Sequence, residues 1–82
     1  MTIEDVIREL EANERDVPFS RLLNICKDFF GKPRIVGSHH IFKMPWPGDP
    51  RVNLQRDKGN AKAYQVRQVL RCLRRLKDRA VK

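Results

Sequence analysis

The sequence has few of the residues that cross-link or anchor a small protein. Its 82 residues include two cysteines, Cys26 and Cys72, which are too few and too far apart for a disulfide framework or a zinc knuckle. Each lies at an apolar position of a helical pattern, so we expect buried, reduced thiols. No apolar run approaches the roughly 20 residues that cross a bilayer, and residues 1–12 lack the apolar core of a secretory signal. These absences predict a cytoplasmic protein with no membrane partner.

Negative charge is scarce as well. Ten Asp and Glu face eighteen Lys and Arg, which leaves a formal net charge of +8. A chain of this length closes only one hydrophobic core, so residues 1–82 are expected to form a single domain. The positive field favours a polyanionic partner, nucleic acid first, although an acidic protein or an anionic membrane would feel the same attraction.

Hydrophobic periodicity predicts three helices and three short strands. Apolar residues three and four apart indicate the helices, while β-branched and aromatic residues around a Gly-Ser turn, followed by strict alternation, indicate the strands. A glycine and a proline end the second helix. The predicted helices cover about residues 3–12, 19–30 and 62–78, and the predicted strands cover residues 34–36, 39–44 and 51–55.

This order of elements predicts an α+β fold with a three-stranded antiparallel sheet and helices packed on one face. An antiparallel sheet needs only one face covered. The other face, or its edge, is therefore expected to meet a ligand.

The segment Gly37-Ser38-His39-His40-Ile41-Phe42-Lys43 holds the chain's two histidines, directly after the predicted turn. An imidazole titrates near neutrality and can accept or return a proton, which RNA cleavage through its own 2′-hydroxyl requires without a metal. No third histidine, cysteine pair or carboxylate cluster completes a metal site, so no metal or other cofactor is expected. Alternation along a strand puts His39 and His40 on opposite faces, so at most one of them faces a substrate. Alternatively, both are ordinary strand residues, or one is a core histidine bonded to a carbonyl.

This segment, followed by the strand Val52-Asn53-Leu54 and a final helix, resembles the HicA-family toxins. Members of that family are small ribonucleases with a fold like the double-stranded RNA-binding domain, and they cut messenger RNA until a HicB antitoxin neutralises them. The resemblance covers about residues 19–78 and leaves residues 1–13 as an N-terminal helical extension. It implies a metal-independent endoribonuclease toxin of the stress response, with mRNA and a HicB-type antitoxin as partners.

The family motif, as we interpret it, is Gly-Ser, then a variable position, then the catalytic histidine, which assigns catalysis to His40. His39 becomes a supporting residue, together with Gly37 in the turn and Ser38, whose hydroxyl could bond the backbone or a phosphate. Since one imidazole cannot supply both proton transfers at once, water, the substrate or His39 must supply the other. Four basic residues are expected to bind RNA, namely Arg34, Lys43, Lys58 and Lys62.

Other features keep more than one interpretation. The arginine-rich face of the final helix could follow a phosphate backbone, meet an acidic antitoxin or simply be solvated. Trp46 could stack on a base, dock on a partner or cap the edge of the core, and Tyr64 is expected to pack. The main rival function is a non-catalytic module that binds structured RNA by shape and charge. A helix-turn-helix DNA-binding protein is disfavoured, because strands precede the final helix.

Overall fold

A computed structural model describes residues 1–48, 50–56 and 59–81 of the chain. Within these residues the protein has an α+β fold of three helices and one three-stranded antiparallel sheet. The predicted element types and their order are confirmed; β2 ends one residue early, and α3 continues past residue 78 because no glycine or proline stops it. The elements are α1 (Ile3–Ala12), α2 (Phe19–Phe30), β1 (Arg34–Val36), β2 (His39–Lys43), β3 (Arg51–Gln55) and α3 (Ala63–Val81).

The sheet has the strand order β1-β2-β3, so β2 lies in the centre. The hairpin between β1 and β2 is closed by the pair Val36 and His39, which leaves a two-residue loop. Gly37 occupies the first loop position with a φ of 59°, a left-handed conformation that two-residue hairpins favour and that glycine adopts without strain. On the other side of β2, His39 pairs with Gln55.

The helices cover one face of this sheet over β2 and β3, while the residues of β1 are exposed. Phe42 on β2 and Val52 and Leu54 on β3 are fully buried on that face, and they join a core built from all three helices. The first helix is part of this core through Val6 and Leu10. The intervening residues of β3 are exposed, so the opposite face of the sheet is open.

The two edges of the sheet are protected differently. At β3, the side chains of α3 satisfy strand carbonyls: Gln65 Nε2 donates to the Gln55 carbonyl and Gln68 Nε2 to the Arg51 carbonyl, each over 3.4 Å. At β1, Ile35 is 63% exposed. The β3 edge is therefore covered by α3, as stable sheets often require, whereas β1 is an open edge.

The start of α2 is fixed by the loop that precedes α3. The Phe19 N–H donates to the Gly59 carbonyl over 2.7 Å, and the Ala61 N–H donates to the Val17 carbonyl over 2.8 Å. Phe19 itself is buried. This pairing holds the aromatic ring of Phe19 against the helix-covered face of the sheet.

A two-point ion pair joins α1 to α2. Arg21 Nε and Nη2 donate to the two carboxylate oxygens of Glu9 over 2.8 and 2.7 Å. These hydrogen bonds lower the pKa of the Glu9 carboxyl and raise the pKa of the Arg21 guanidinium. The pair is partly exposed, so we expect it to contribute no more than about 1 kcal/mol.

The structure shows how Trp46, Cys26 and Cys72 compare with what the sequence predicts for them. Trp46 is 6% exposed, with the Arg75 guanidinium carbon 4.8 Å from its ring centroid, so it caps the edge of the core. Both thiols are free; Cys26 is buried as expected, whereas Cys72 is only half-buried. Burial raises the pKa of both thiols, which keeps them protonated near neutrality.

No helix in the described part of the chain is long and apolar enough to cross a membrane.

Candidate functional site on strand β2

The two histidines lie on opposite faces of the central strand, as alternation along the strand predicts. His40 is aligned with Leu54 and shares the helix-covered face with Phe42. His39 is aligned with Val36 and Gln55 and lies on the open face. Both side chains are intermediate in overall exposure, so their neighbours distinguish them better than their burial does.

His40 packs against the aromatic ring of Phe19. Its ring centroid lies 5.6 Å from that of Phe19, and the two rings are tilted by 59°. The Arg56 guanidinium carbon lies 5.2 Å from the centroid of the same Phe19 ring. The Nδ1 atom of His40 is buried and has no hydrogen-bond partner among the described residues. This side chain has the surroundings of a residue at the edge of the core, although Nδ1 does not meet the carbonyl expected of a bonded core histidine.

His39 is held by a neighbour on the open face. Its Nδ1 lies 3.1 Å from Asn53 Oδ1 on β3. In the tautomer in which Nδ1 donates to Asn53 Oδ1, the neutral ring keeps the lone pair of Nε2 for another proton. A ring nitrogen oriented in this way is what a general base requires.

The turn before His39 is fixed by a second polar residue of β3. Gln55 Nε2 donates to Ser38 Oγ over 3.3 Å, while the Gln55 carbonyl accepts from Gln65 on α3. The hydroxyl of Ser38 therefore contacts a side chain rather than the backbone. Gln55 connects the turn, β3 and α3, which limits the movement of the strand end that carries His39.

A surface hollow adjoins His39 where the open face meets α3. Its volume is about 290 Å³, at the lower end of the range for small-ligand sites. We call it the His39 hollow. It is lined by His39, Asn53, Gln55, Tyr64, Gln65 and Gln68.

Of the basic residues expected to bind RNA, Lys62 lies beside this hollow, whereas Arg34 and Lys43 lie farther away. Lys62 is exposed and lines an adjoining hollow of about 260 Å³ together with Gln55 and Arg56. Arg34 and Lys43 line a hollow of about 140 Å³ at the other end of the open face. Lys43 is four positions along β2 from His39, which corresponds to roughly 13 Å.

The fourth of these residues, Lys58, lies outside the described part of the chain. Among the residues that are described, no three His, Cys, Asp or Glu side chains form a group that could hold a metal ion. The side chains that line the His39 hollow offer imidazole, amide and phenol groups, and the cations Arg56 and Lys62 line the adjoining hollow.

Three residues of the site were missed or misjudged from the sequence. Alternation on β3 indicates that Asn53 and Gln55 share a polar face, but only the strand register brings them to His39 and Ser38. Tyr64 was expected to pack, and this expectation is wrong, since the side chain is 55% exposed. It begins a helix whose neighbouring positions at 65 and 66 are buried, so the tyrosine points away from the core.

Comparison with known proteins does not assign a family. No protein-family model matches the chain. Neither the curated proteins nor the solved structures include a match. The resemblance to HicA toxins therefore rests on the residues of the chain alone.

Proposed function

We propose that this protein is a metal-independent endoribonuclease toxin of the HicA type. It cleaves mRNA in the cytoplasm, carries a double-stranded-RNA-binding-domain-like core and is neutralised by a HicB-type antitoxin. The observation that carries the proposal is the His39 imidazole, which lies on the open face, is oriented by Asn53 and borders a hollow with basic residues nearby. The net charge of +8 supports an RNA substrate.

The geometry favours His39 over His40 as the reacting imidazole. The sequence motif assigns catalysis to His40, yet that ring packs on Phe19 and its Nδ1 is buried without a partner among the described residues. Among the described residues, His39 has a hydrogen-bonded Nδ1 and borders the His39 hollow, whereas Nδ1 of His40 has no hydrogen-bond partner. His40 then supports the site by packing.

In the proposed reaction, Nε2 of His39 accepts the proton of a 2′-hydroxyl as its oxygen attacks the adjacent phosphorus. The bond from phosphorus to the 5′-oxygen breaks, and that oxygen takes a proton from water. The products are a 2′,3′-cyclic phosphate and a free 5′-hydroxyl. Positioned proton transfer supplies about 10² to 10⁴ in rate, so a slow enzyme is expected unless nearby cations stabilise the phosphate charge.

The two imidazoles do not form a base and acid pair on one phosphate. Neighbouring residues of a strand point to opposite faces, and His40 is directed toward Phe19 and the helices. Of the three proton sources that the sequence left open, a second histidine is therefore disfavoured. Water or the substrate remains.

Incubating the purified protein with end-labelled RNA and a chelator tests the proposal. We expect cleavage that survives chelation, products with cyclic phosphate ends, and no cleavage at positions where the RNA carries a 2′-deoxy nucleotide. Cleavage at 2′-deoxy positions would contradict the mechanism, because the attacking oxygen is then missing. RNA that stays intact in a stable complex would instead favour the non-catalytic binding module.

The partner is tested separately. Expression of the parent protein is expected to stop growth, and co-expression of a small acidic HicB-type protein is expected to restore it. A His39→Ala variant serves as the control, since it should be tolerated while still binding the antitoxin. Growth arrest by this variant at the same protein level would contradict a toxicity based on cleavage.

A further inference from the structure

Tyr64 lies where three surface hollows meet. It lines the His39 hollow, the hollow that contains Lys62, and a third hollow of about 540 Å³. The side chain is 55% exposed at the start of α3. An exposed aromatic ring at such a junction is available to contact a ligand in any of the three hollows.

The third hollow follows one face of α3. Tyr64 is succeeded along that face by Arg67, Arg71 and Arg74, at the spacings of three and four residues that align side chains on a helix. The hollow also shares Gln68 with the His39 hollow. A continuous path therefore leads from the imidazole, past the tyrosine, onto a row of arginines.

Two of these arginines have carboxylate neighbours. Arg67 Nη1 lies 3.7 Å from Glu14, and Arg74 Nη2 lies 2.6 Å from Glu11. All four side chains are substantially exposed, and exposed pairs of this kind contribute little to stability. A polyanion can therefore take over these guanidinium groups at small cost.

We propose that a single strand of RNA runs from the His39 hollow across Tyr64 and along Arg67, Arg71 and Arg74, with one base stacked on the Tyr64 ring. The combination of stacking ring and cationic row is characteristic of single-strand sites, whereas charge alone would serve an acidic protein equally well. A duplex is a poorer match, because paired bases hide the faces that stack on a side chain. The inference rests on the proposed function for the choice of RNA and extends the site to α3.

Binding of a labelled single-stranded RNA about 10 nucleotides long, with every 2′-oxygen methylated, tests this path. Methylation blocks the attacking oxygen, so fluorescence anisotropy measures affinity without cleavage. We expect Tyr64→Ala and Tyr64→Leu to weaken binding roughly 5- to 150-fold, the loss expected for one base–aromatic stack. Tyr64→Phe keeps the ring and should bind within about twofold of the parent.

The cationic row is tested with a matched pair of variants. Arg71→Gln should lower affinity and reduce the slope of log affinity against log salt by about 0.7, the value for one phosphate contact on a single strand. Arg79→Gln, near the end of the same helix and outside this hollow, should change neither. Unchanged melting temperatures would show that the variants are folded.

Three results would overturn the inference. The first two are Tyr64→Leu binding as tightly as the parent, and Arg71→Gln leaving the affinity unchanged, as expected for a face that binds an acidic protein. The third is duplex RNA competing as well as the single strand. Failure of the proposed function has a different signature. A parent protein that does not cleave unmodified RNA, yet binds the methylated strand through Tyr64, would refute the nuclease and support this binding path.

Discussion

His39 and His40 are identical residues joined by one peptide bond, yet they occupy different environments. His39 meets the Asn53 amide on the open face of the sheet, whereas His40 meets the Phe19 ring on the covered face. The strand alone produces this difference, because each residue rotates the next side chain to the other face. A histidine pair in a strand is therefore two separate sites, one available for chemistry and one for packing.

The largest expected effect concerns the covered face itself. Phe42 is fully buried and packs edge-on against Phe30, with ring centroids 6.4 Å apart. We expect Phe42→Ala to lower the free energy of unfolding by about 3–5 kcal/mol, through lost transfer energy and a cavity. Urea denaturation measures it. Val36→Ala, on a residue 48% exposed, is the control and should cost less than about 1 kcal/mol. Equal losses in both variants would mean that the two faces are not distinct.

Replacing His40 on the covered face should destabilise the protein more than replacing His39 on the open face. His40→Ala removes the contact with Phe19, and we expect it to lower the free energy of unfolding by about 1 kcal/mol. His39→Ala removes one partly exposed hydrogen bond and should change it by less than about 0.5 kcal/mol. Thermal and urea unfolding of both variants make the comparison. A larger loss for His39→Ala would invert our assignment of the two environments.

Asn53 contacts His39 on the open face, and we expect its replacement to affect activity without affecting the fold. Asn53→Ala removes the acceptor for His39 Nδ1, and we expect cleavage to slow by roughly 2- to 12-fold, the equivalent of one hydrogen bond. Asn53→Asp keeps an acceptor and adds a negative charge, which favours the charged ring. The pH–rate profile of that variant should therefore move to higher pH. An unmoved profile would argue that Asn53 does not act on the reacting imidazole.

The smallest expected effect concerns the ion pair between Glu9 and Arg21, which lies outside the candidate site. The hydrogen bonds from Arg21 lower the pKa of the Glu9 carboxyl. The ion pair therefore stabilises the folded state at pH values above 4.5, which is the ordinary pKa of this group. This contribution is lost as the pH falls below that value through the lower folded pKa. We expect Glu9→Gln to cost at most about 1 kcal/mol near neutrality and less in acid. A cost that grew as the pH fell would have the wrong sign for this account.

Much of the fold follows from local patterns in the sequence. The stripes of apolar residues define the helices, and the glycine at position 37 marks the hairpin, since the two-residue loop requires its left-handed backbone. These signals act over a few residues. They predict the order of elements and the opposite orientation of His39 and His40 without any tertiary information.

The surroundings of the site do not follow from those patterns. Asn53 reaches His39 only because β2 and β3 pair in one particular register, and Phe19 reaches His40 only because a loop 40 residues later in the chain fixes the start of α2. Both contacts join residues far apart in sequence. Local periodicity could therefore show that the histidines differ, but it could not show which of them has a polar partner on the neighbouring strand.

The most direct test is the single-turnover cleavage rate of His39→Ala compared with that of His40→Ala, both shown to be folded, on one RNA in the presence of chelator. We predict a loss of about 10² to 10⁴ for His39→Ala and a much smaller loss for His40→Ala. The reverse order, with His40→Ala inactive and His39→Ala close to the parent rate, would contradict the account and return the catalytic role to the covered face.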